Sequence, residues 1–473
     1  MTGLAPLALP LLLFGVAVLV LLADLLLGRD EKRGLGAVTA IGIAGVLGAS
    51  FLFDTPGESL GGSYVLDGLT LLLDRIVLAA GFLAILGSID HVDQRYPTRQ
   101  GEYYLLVLFS LVGMLVLAGA RELILLAVAF ETAGIPLYVL AALPKSEDGK
   151  ATEAALKLYL VGATSTAVSL YGLSLIYGAA GTTSIAGIAA APASPLLMLG
   201  TLATLAGMSF KLGIVPFHLW VPDTYEGTST PFTAFLSVAP KAAGFAAFLR
   251  LFAGGLLPLH DTWLVILLVL SAASMTLGNL LAIPQQNVKR LLAGSGIAQV
   301  GTMLLAFAIG TEQGIAMLLF YLCAYVFTNI GAFLVQTVLG DASGTDDMRI
   351  YKGLARTAPG LALIMLLFLL SLGGIPFMAG FWAKLQVFVA AWHAGQGFMV
   401  VLAAVLAVVA LYYYLRVARQ MYIEAPDAGA QAPAIGLPTR LALIACVVGV
   451  VGMGAMPEPF VKAALEAARG LGL

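Results

Sequence analysis

The chain has 473 residues, of which 60% are hydrophobic and only 11% charged, with a formal net charge of −2. A soluble domain is roughly 45–50% apolar and about 25% charged, so this composition excludes soluble enzymes and binding modules and describes an all-α polytopic membrane protein. Near-neutral charge gives no handle for nucleic acid. Cys323, Cys446 and four scattered histidines (His91, His218, His260, His393) show no spacing of a metal site or disulfide framework.

A spanning helix takes ~20 mostly apolar residues. Fourteen such spans are predicted, at 4–27, 34–53, 66–89, 102–119, 121–142, 152–179, 195–220, 229–252, 262–284, 288–310, 313–339, 358–393, 397–422 and 438–456. The first has no basic stretch before it and reads as a true span rather than a cleaved signal. Residues after Glu458 form a short amphipathic tail, expected at the membrane interface.

Charge tests this count. With both termini on one side, the other side carries fifteen basic residues: Arg29, Lys32, Arg33, Arg95, Arg99, Lys145, Lys150, Lys289, Arg290, Arg349, Lys352, Arg356, Arg416, Arg419 and Arg440. The first side carries four, Arg121, Arg250, Lys462 and Arg469. By the positive-inside rule the fifteen are cytoplasmic and both termini face out.

The remaining five basic residues, Arg75, Lys157, Lys211, Lys241 and Lys384, fall within spans. A lysine at mid-membrane costs about 2.5–3.5 kcal/mol on insertion scales, and such residues mark ion or proton pathways. Lys157 follows Glu153 by four residues, the spacing of an intrahelical pair. Arg75 adjoins Asp74, and local pairing or a subunit contact accounts for it. Lys241 is too deep to reach either surface and stands beside Pro240, which disturbs the helical ladder. Lys211 precedes Pro216 by five residues and Lys384 follows Pro376 by eight. Glu131, ten residues into its span, is the matching acid. A carboxyl that approaches or leaves such a lysine changes how tightly the amine holds its proton, and lysine suits this because arginine does not let go.

"KLGIVPFHLW" in the seventh span and "LGGIPFMAGF" in the twelfth share a Gly-Ile-(Val)-Pro-Phe core. Five spans apart, they run in opposite directions, and paired broken helices in opposite orientation point to inverted repeats around an ion pathway. Loosened backbone at that depth must face protein or water. His218, Tyr225, Ser295, Gln299, Tyr321, Tyr325, Thr328 and Asn329 can extend a relay or serve as interhelical hydrogen bonds.

The run "FKLGIVPFHLWVPDTYEGTSTPFTAFLSVAPKAAGFA", 210–246, closely resembles the antiporter-like proton-pumping membrane subunits of respiratory complex I, and "PDTYEG" with "TPFTAFLS" resembles subunit N (ND2-like) most. "FETAGIPLYVL", "EAALKLYLVGA", "NVKRLLAGSGIAQVG", "YLCAYVFTNIGAF" and "GGIPFMAGFWAKL" extend the likeness over roughly 100–395.

The resemblance implies that Glu131 pairs with Lys211, that Lys241 is the central lysine of the eighth span, that Lys384 faces the exit, and that Lys157 lies near the pair. It implies a three-span region at 1–95, inverted five-span repeats at 100–254 and 260–424 (spans four to eight and nine to thirteen), and a final helix and tail at 437–473. His218, Tyr321 and Tyr325 stand as possible relays. Phe377 departs from the family, which often has a second proline there. The implied function is proton translocation coupled to quinone reduction in NADH:quinone oxidoreductase. FMN, iron–sulfur clusters and quinone are then expected on other subunits, and the implied partners are the antiporter-like M subunit, small subunits such as K, and the bilayer. A subunit of an Mrp-type cation/proton antiporter is the alternative, distinguished by the "YEG" motif and by the proteins that co-purify.

Overall fold

A computed structural model of the chain describes residues 3–28, 32–143, 149–427 and 429–471. Arg29 and Lys145, two of the fifteen basic residues assigned to one side, lie outside the described residues.

The described residues are helical almost throughout. Among the described residues twelve helices are long and apolar enough to cross a membrane. The two further expected spans fall short for local reasons. The second is only 15 residues, Leu35–Ala49, and the twelfth is split into Pro359–Gly373 and Ala379–His393. The only strand pair among the described residues is a small antiparallel hairpin between the second and third spans, Gly57–Ser59 against Tyr64–Leu66, which hydropathy did not announce.

The connections sort cleanly to two ends of the bundle. At one end the hairpin and the two loops that follow the fourth and sixth spans are stitched by backbone bridges, Tyr64 to Ala120 and Glu122 to Ser184. At the other, Asn287 bridges to Asp347, and Arg33 meets Asp93 at 2.8 Å. A miscounted span would have placed these partners on opposite faces. The second of these ends is the one with the excess of lysine and arginine, here the basic end.

The eighth and tenth spans are wholly enclosed by protein and the eleventh nearly so, whereas the first, sixth, ninth and thirteenth turn most of their surface outward. A helix with no lipid face is where polar side chains can be placed without meeting hydrocarbon. Small residues let the layers close. A side chain added at Gly172 or Gly200 would enter the backbone between the sixth and seventh spans, and one at Gly278 or Gly294 would do so between the ninth and tenth.

The tail helix is Glu458–Arg469. It packs against the third and eleventh spans through Ala464, Ala467 and Ala468, and Arg469 pairs with Glu312 at 3.0 Å.

Three spans are interrupted. The seventh ends its first half, Pro195–Leu212, at Gly213 with φ 69° and resumes as Trp220–Gly227. The twelfth ends its first half at Gly374 with φ 83°. Both stops use the left-handed geometry that glycine adopts freely, with a proline following that cannot continue a helix. Phe377 stands just after the second stop with φ 72°. Proline is locked near −65°, so the departure from a second proline goes with a backbone turn that proline cannot make. The eighth span is also bent: Thr230–Leu236 is followed at Val238 by non-helical backbone, and Ala239–Phe248 carries Pro240 as its second residue. The disturbance expected from Pro240 is a local turn at Ser237 and Val238, three residues before Lys241.

Candidate functional site

Lys211 occupies the last turn of the first half of the seventh span, where the break frees it to reach sideways. Its ammonium lies 3.7 Å from the Glu131 carboxylate, donates to the carbonyl of Phe130 at 2.6 Å and sits 3.8 Å above the Phe130 ring. Glu131 also accepts from Thr166 Oγ1 at 2.7 Å. The expected approach of Lys211 and Glu131 is therefore present. It depends on Gly134, one turn further along the fifth span, because a side chain there would collide with the lysine nitrogen.

Lys241 is 1% exposed and its ammonium has no hydrogen-bond partner in the protein. The rings of Tyr325 and Tyr225 lie 5.6 and 6.0 Å from it. Their hydroxyls are likewise buried without a partner. Gly296 of the tenth span completes the enclosure: a β-carbon there would stand 3.0 Å from the Lys241 nitrogen and 3.1 Å from the Tyr325 hydroxyl. Buried polar atoms are nearly always paired, so three unpaired ones around one point make this an unusual place.

Beyond Tyr325 the polar line continues along the eleventh and tenth spans. The Tyr321 hydroxyl donates to Gln299 Oε1, and Gln299 Nε2 donates to the carbonyl of Leu372 at 3.0 Å and to Tyr414 Oη at 3.3 Å. Lys384 donates to that same Leu372 carbonyl at 2.6 Å. The break in the twelfth span exposes this carbonyl at the end of its first half and lets both donors share it. Thr328 meets Ser371 at 3.0 Å beside it, while Asn329 donates to Ser237 at the break in the eighth span at 2.7 Å.

Small cavities punctuate the line. One of about 10 Å³ is lined by Lys211, Phe130, Pro240 and Gly244. A second of about 10 Å³ is lined by Gln299, Tyr321, Tyr325 and Leu372. A third, of about 20 Å³, lies between Lys384, Gln299 and Tyr413. A single water requires roughly 10–15 Å³ of such space, so the third accommodates one and the others stand at the threshold.

Lys157 is placed differently. It is held by Glu153 at 2.6 Å and Asp223 at 2.5 Å near the basic end, and none of its ion pairs joins it to Glu131. Asp223 and Glu226 also grip Arg290 at 2.8 and 2.7 Å. This clamp ties the second half of the seventh span to the sixth and tenth. Neither carboxylate nor Arg290 stood out from the sequence as a site residue, although both acids lie in the quoted "PDTYEG" and their i,i+3 spacing sets them on one helical face. His218 lies in the seventh-span break, buried, with Nδ1 unpartnered. Among the described residues no three or more His, Cys, Asp or Glu side chains are grouped to hold a metal, and Cys323 and Cys446 are free thiols.

Paired broken helices, each with a buried lysine, and a polar line joining them define an antiporter-like membrane subunit. The family described as "NADH:quinone oxidoreductase/Mrp antiporter, TM" matches residues 120–410. NADH-quinone oxidoreductase subunit N of Moorella thermoacetica is 41% identical over 94% of this chain and 94% of its own length. A chain of respiratory complex I from Thermus thermophilus superimposes with a TM-score of 0.82 at 34% identity, covering 96% of this chain and 98% of that one. A chain of the Mrp complex from a Dietzia species has a TM-score of 0.87 at 22% identity, covering 99% and 97%, a likeness of fold alone. The chain belongs to the subunit N family of NADH:quinone oxidoreductases, the antiporter-like, proton-translocating subunits of the complex I membrane arm.

Proposed function

We propose that this chain conducts protons from the basic end to the opposite end through Glu131, Lys211, Lys241 and Lys384, with Tyr325, Tyr321 and Gln299 between the last two lysines. The basic end is cytoplasmic and both termini face out of a bacterial plasma membrane, as the charge excess favours. Quinone reduction on other subunits drives the transfer. FMN, iron–sulfur clusters and the quinone belong to those subunits, and the M-type antiporter-like subunit and small subunits such as K are the neighbours.

The observation that carries this reading is the setting of Lys241. An ammonium enclosed by protein and held by no acceptor has little to keep its proton, and the rings of two tyrosines with unpartnered hydroxyls lie 5.6 and 6.0 Å from it. Lys211, by contrast, is held by a carboxylate and a carbonyl. Loosening that hold raises the local positive potential and repels the next proton along the line. Lys157 acts as a positioning residue, fixing Asp223 and with it the second half of the broken seventh span. His218 sits where that break could pass a proton to the Lys211 side. An Mrp-type exchanger is less favoured, since relatives sharing about 40% of the sequence are subunit N of NADH-quinone and subunit 2 of NAD(P)H-quinone oxidoreductases.

The test is the proton-to-electron ratio of the assembled complex in proteoliposomes. Lys241→Ala lowers it while electron transfer from NADH persists. An unchanged ratio in that variant would contradict the proposal.

A further inference from the structure

We infer that the end opposite the basic one holds a second proton site, built on Asp74 and Tyr64, outside the line of lysines. Asp74, in the third span Gly68–Arg95, is wholly buried, and neither carboxyl oxygen has a hydrogen-bond partner. Tyr64, in the hairpin strand, is equally buried with an unpartnered hydroxyl, and Asp74 is the charge that acts on it most strongly.

The surrounding charges are committed elsewhere. Arg250, at the far end of the eighth span, gives two hydrogen bonds to Asp67 at 2.8 and 2.7 Å, one to Thr70 Oγ1 at 2.5 Å and one to the Ala118 carbonyl at 2.7 Å. Asp67 is thereby neutralised. Arg75 turns from its neighbour Asp74 to the Ser50 carbonyl at 2.8 Å and stacks 4.2 Å from the Phe51 ring. Arg250, Asp67 and Arg75 are the charges that act on Asp74, and none is its ion-pair partner. A carboxyl enclosed in this way, with no donor of its own, needs a proton to be stable there.

Access lies close by. A pocket of about 610 Å³ opens at this end, lined by Arg250 together with Glu58, Arg121 and Glu122, and roofed by Gly470 and Leu471 of the tail. Arg250 is thus shared between the buried Asp67 pair and the aqueous space. It also stands nine residues beyond Lys241 on one broken span, about 13 Å along a helix. Asp74 gives up its proton to water of that pocket and regains one from the side of Lys241, with Tyr64 as the neighbouring hydroxyl. No bond other than O–H changes.

The inference rests on the proton-conducting reading above, and the experiment separates the two. The reconstituted complex is followed by infrared difference spectroscopy during turnover, in wild type, Asp74→Asn, Asp74→Glu, Tyr64→Phe and Lys241→Ala. A protonated-carboxyl stretch should appear in wild type, vanish in Asp74→Asn, return displaced in Asp74→Glu and shift in Tyr64→Phe. The proton-to-electron ratio should fall in Asp74→Asn and recover in Asp74→Glu. A band and ratio unchanged by Asp74→Asn overturn the site even when Lys241→Ala abolishes pumping. If Asp74→Asn does not assemble, a band unmoved by Tyr64→Phe and Asp74→Glu overturns it. Normal pumping by Lys241→Ala would instead defeat the lysine line, with the Asp74 band still read on its own.

Discussion

Lys241→Met separates function from stability. The wild-type ammonium is 1% exposed and makes no hydrogen bond with protein, whereas burying an unpaired polar group costs ~1–3 kcal/mol by protein mutational data. Methionine nearly matches the lysine stem in length and removes only the polar end. The variant should therefore gain up to about 1–3 kcal/mol in unfolding free energy while losing proton transport. Lys211→Met is the control: it forfeits the bond to the Phe130 carbonyl, the ring contact and the Glu131 pair, and should lose ~1–3 kcal/mol because its acceptors are left unmet. Denaturant unfolding of the purified complex, with assembly checked by native electrophoresis, measures both. A Lys241→Met variant destabilised as much as Lys211→Met would refute the reasoning, since it would mean that Lys241 is a structural cation with a partner.

Other substitutions probe the neighbouring links. Gly134→Ala forces the Lys211 ammonium out of its position; overpacking of ~1–3 kcal/mol should leave the complex assembled but slow proton uptake, measured in proteoliposomes. Gln299→Leu cuts the contacts that join Tyr321 to the Leu372 carbonyl, and the proton-to-electron ratio should drop with electron transfer retained. Phe377→Pro cannot adopt the φ of 72° found there and should cost roughly 1–3 kcal/mol, whereas Phe377→Gly should be tolerated; thermal melting of the two variants compares them.

The span pattern was legible because hydropathy and charge asymmetry both report on the same thing, the bilayer. Gly213 with Pro216 and Gly374 with Pro376 marked two breaks in advance, since glycine past a helix end and proline after it have few other uses. The eighth-span break was only half legible: Pro240 signals a disturbance, but the turn falls at Ser237 and Val238, ahead of it. Partner choice was harder still. The sequence pairs Lys157 with Glu153, while its second partner, Asp223, comes from another span. Arg75 and Asp74 adjoin in sequence, yet successive residues on a helix point in different directions, so one reaches Ser50 and the other is enclosed. Tyr325 and Tyr321 were named as possible relays, but their hydroxyls could be placed between two lysines only once the tenth and eleventh spans were packed together.

The central claim is that Lys241 must release its proton, not merely be positive. Lys241→Arg keeps the charge on a group that does not deprotonate in proteins, and Lys241→His supplies one that does. Measured as the proton-to-electron ratio of the reconstituted complex, the arginine variant should fail as the alanine variant does, and the histidine variant should retain part of the flux. Full pumping by Lys241→Arg would contradict the account.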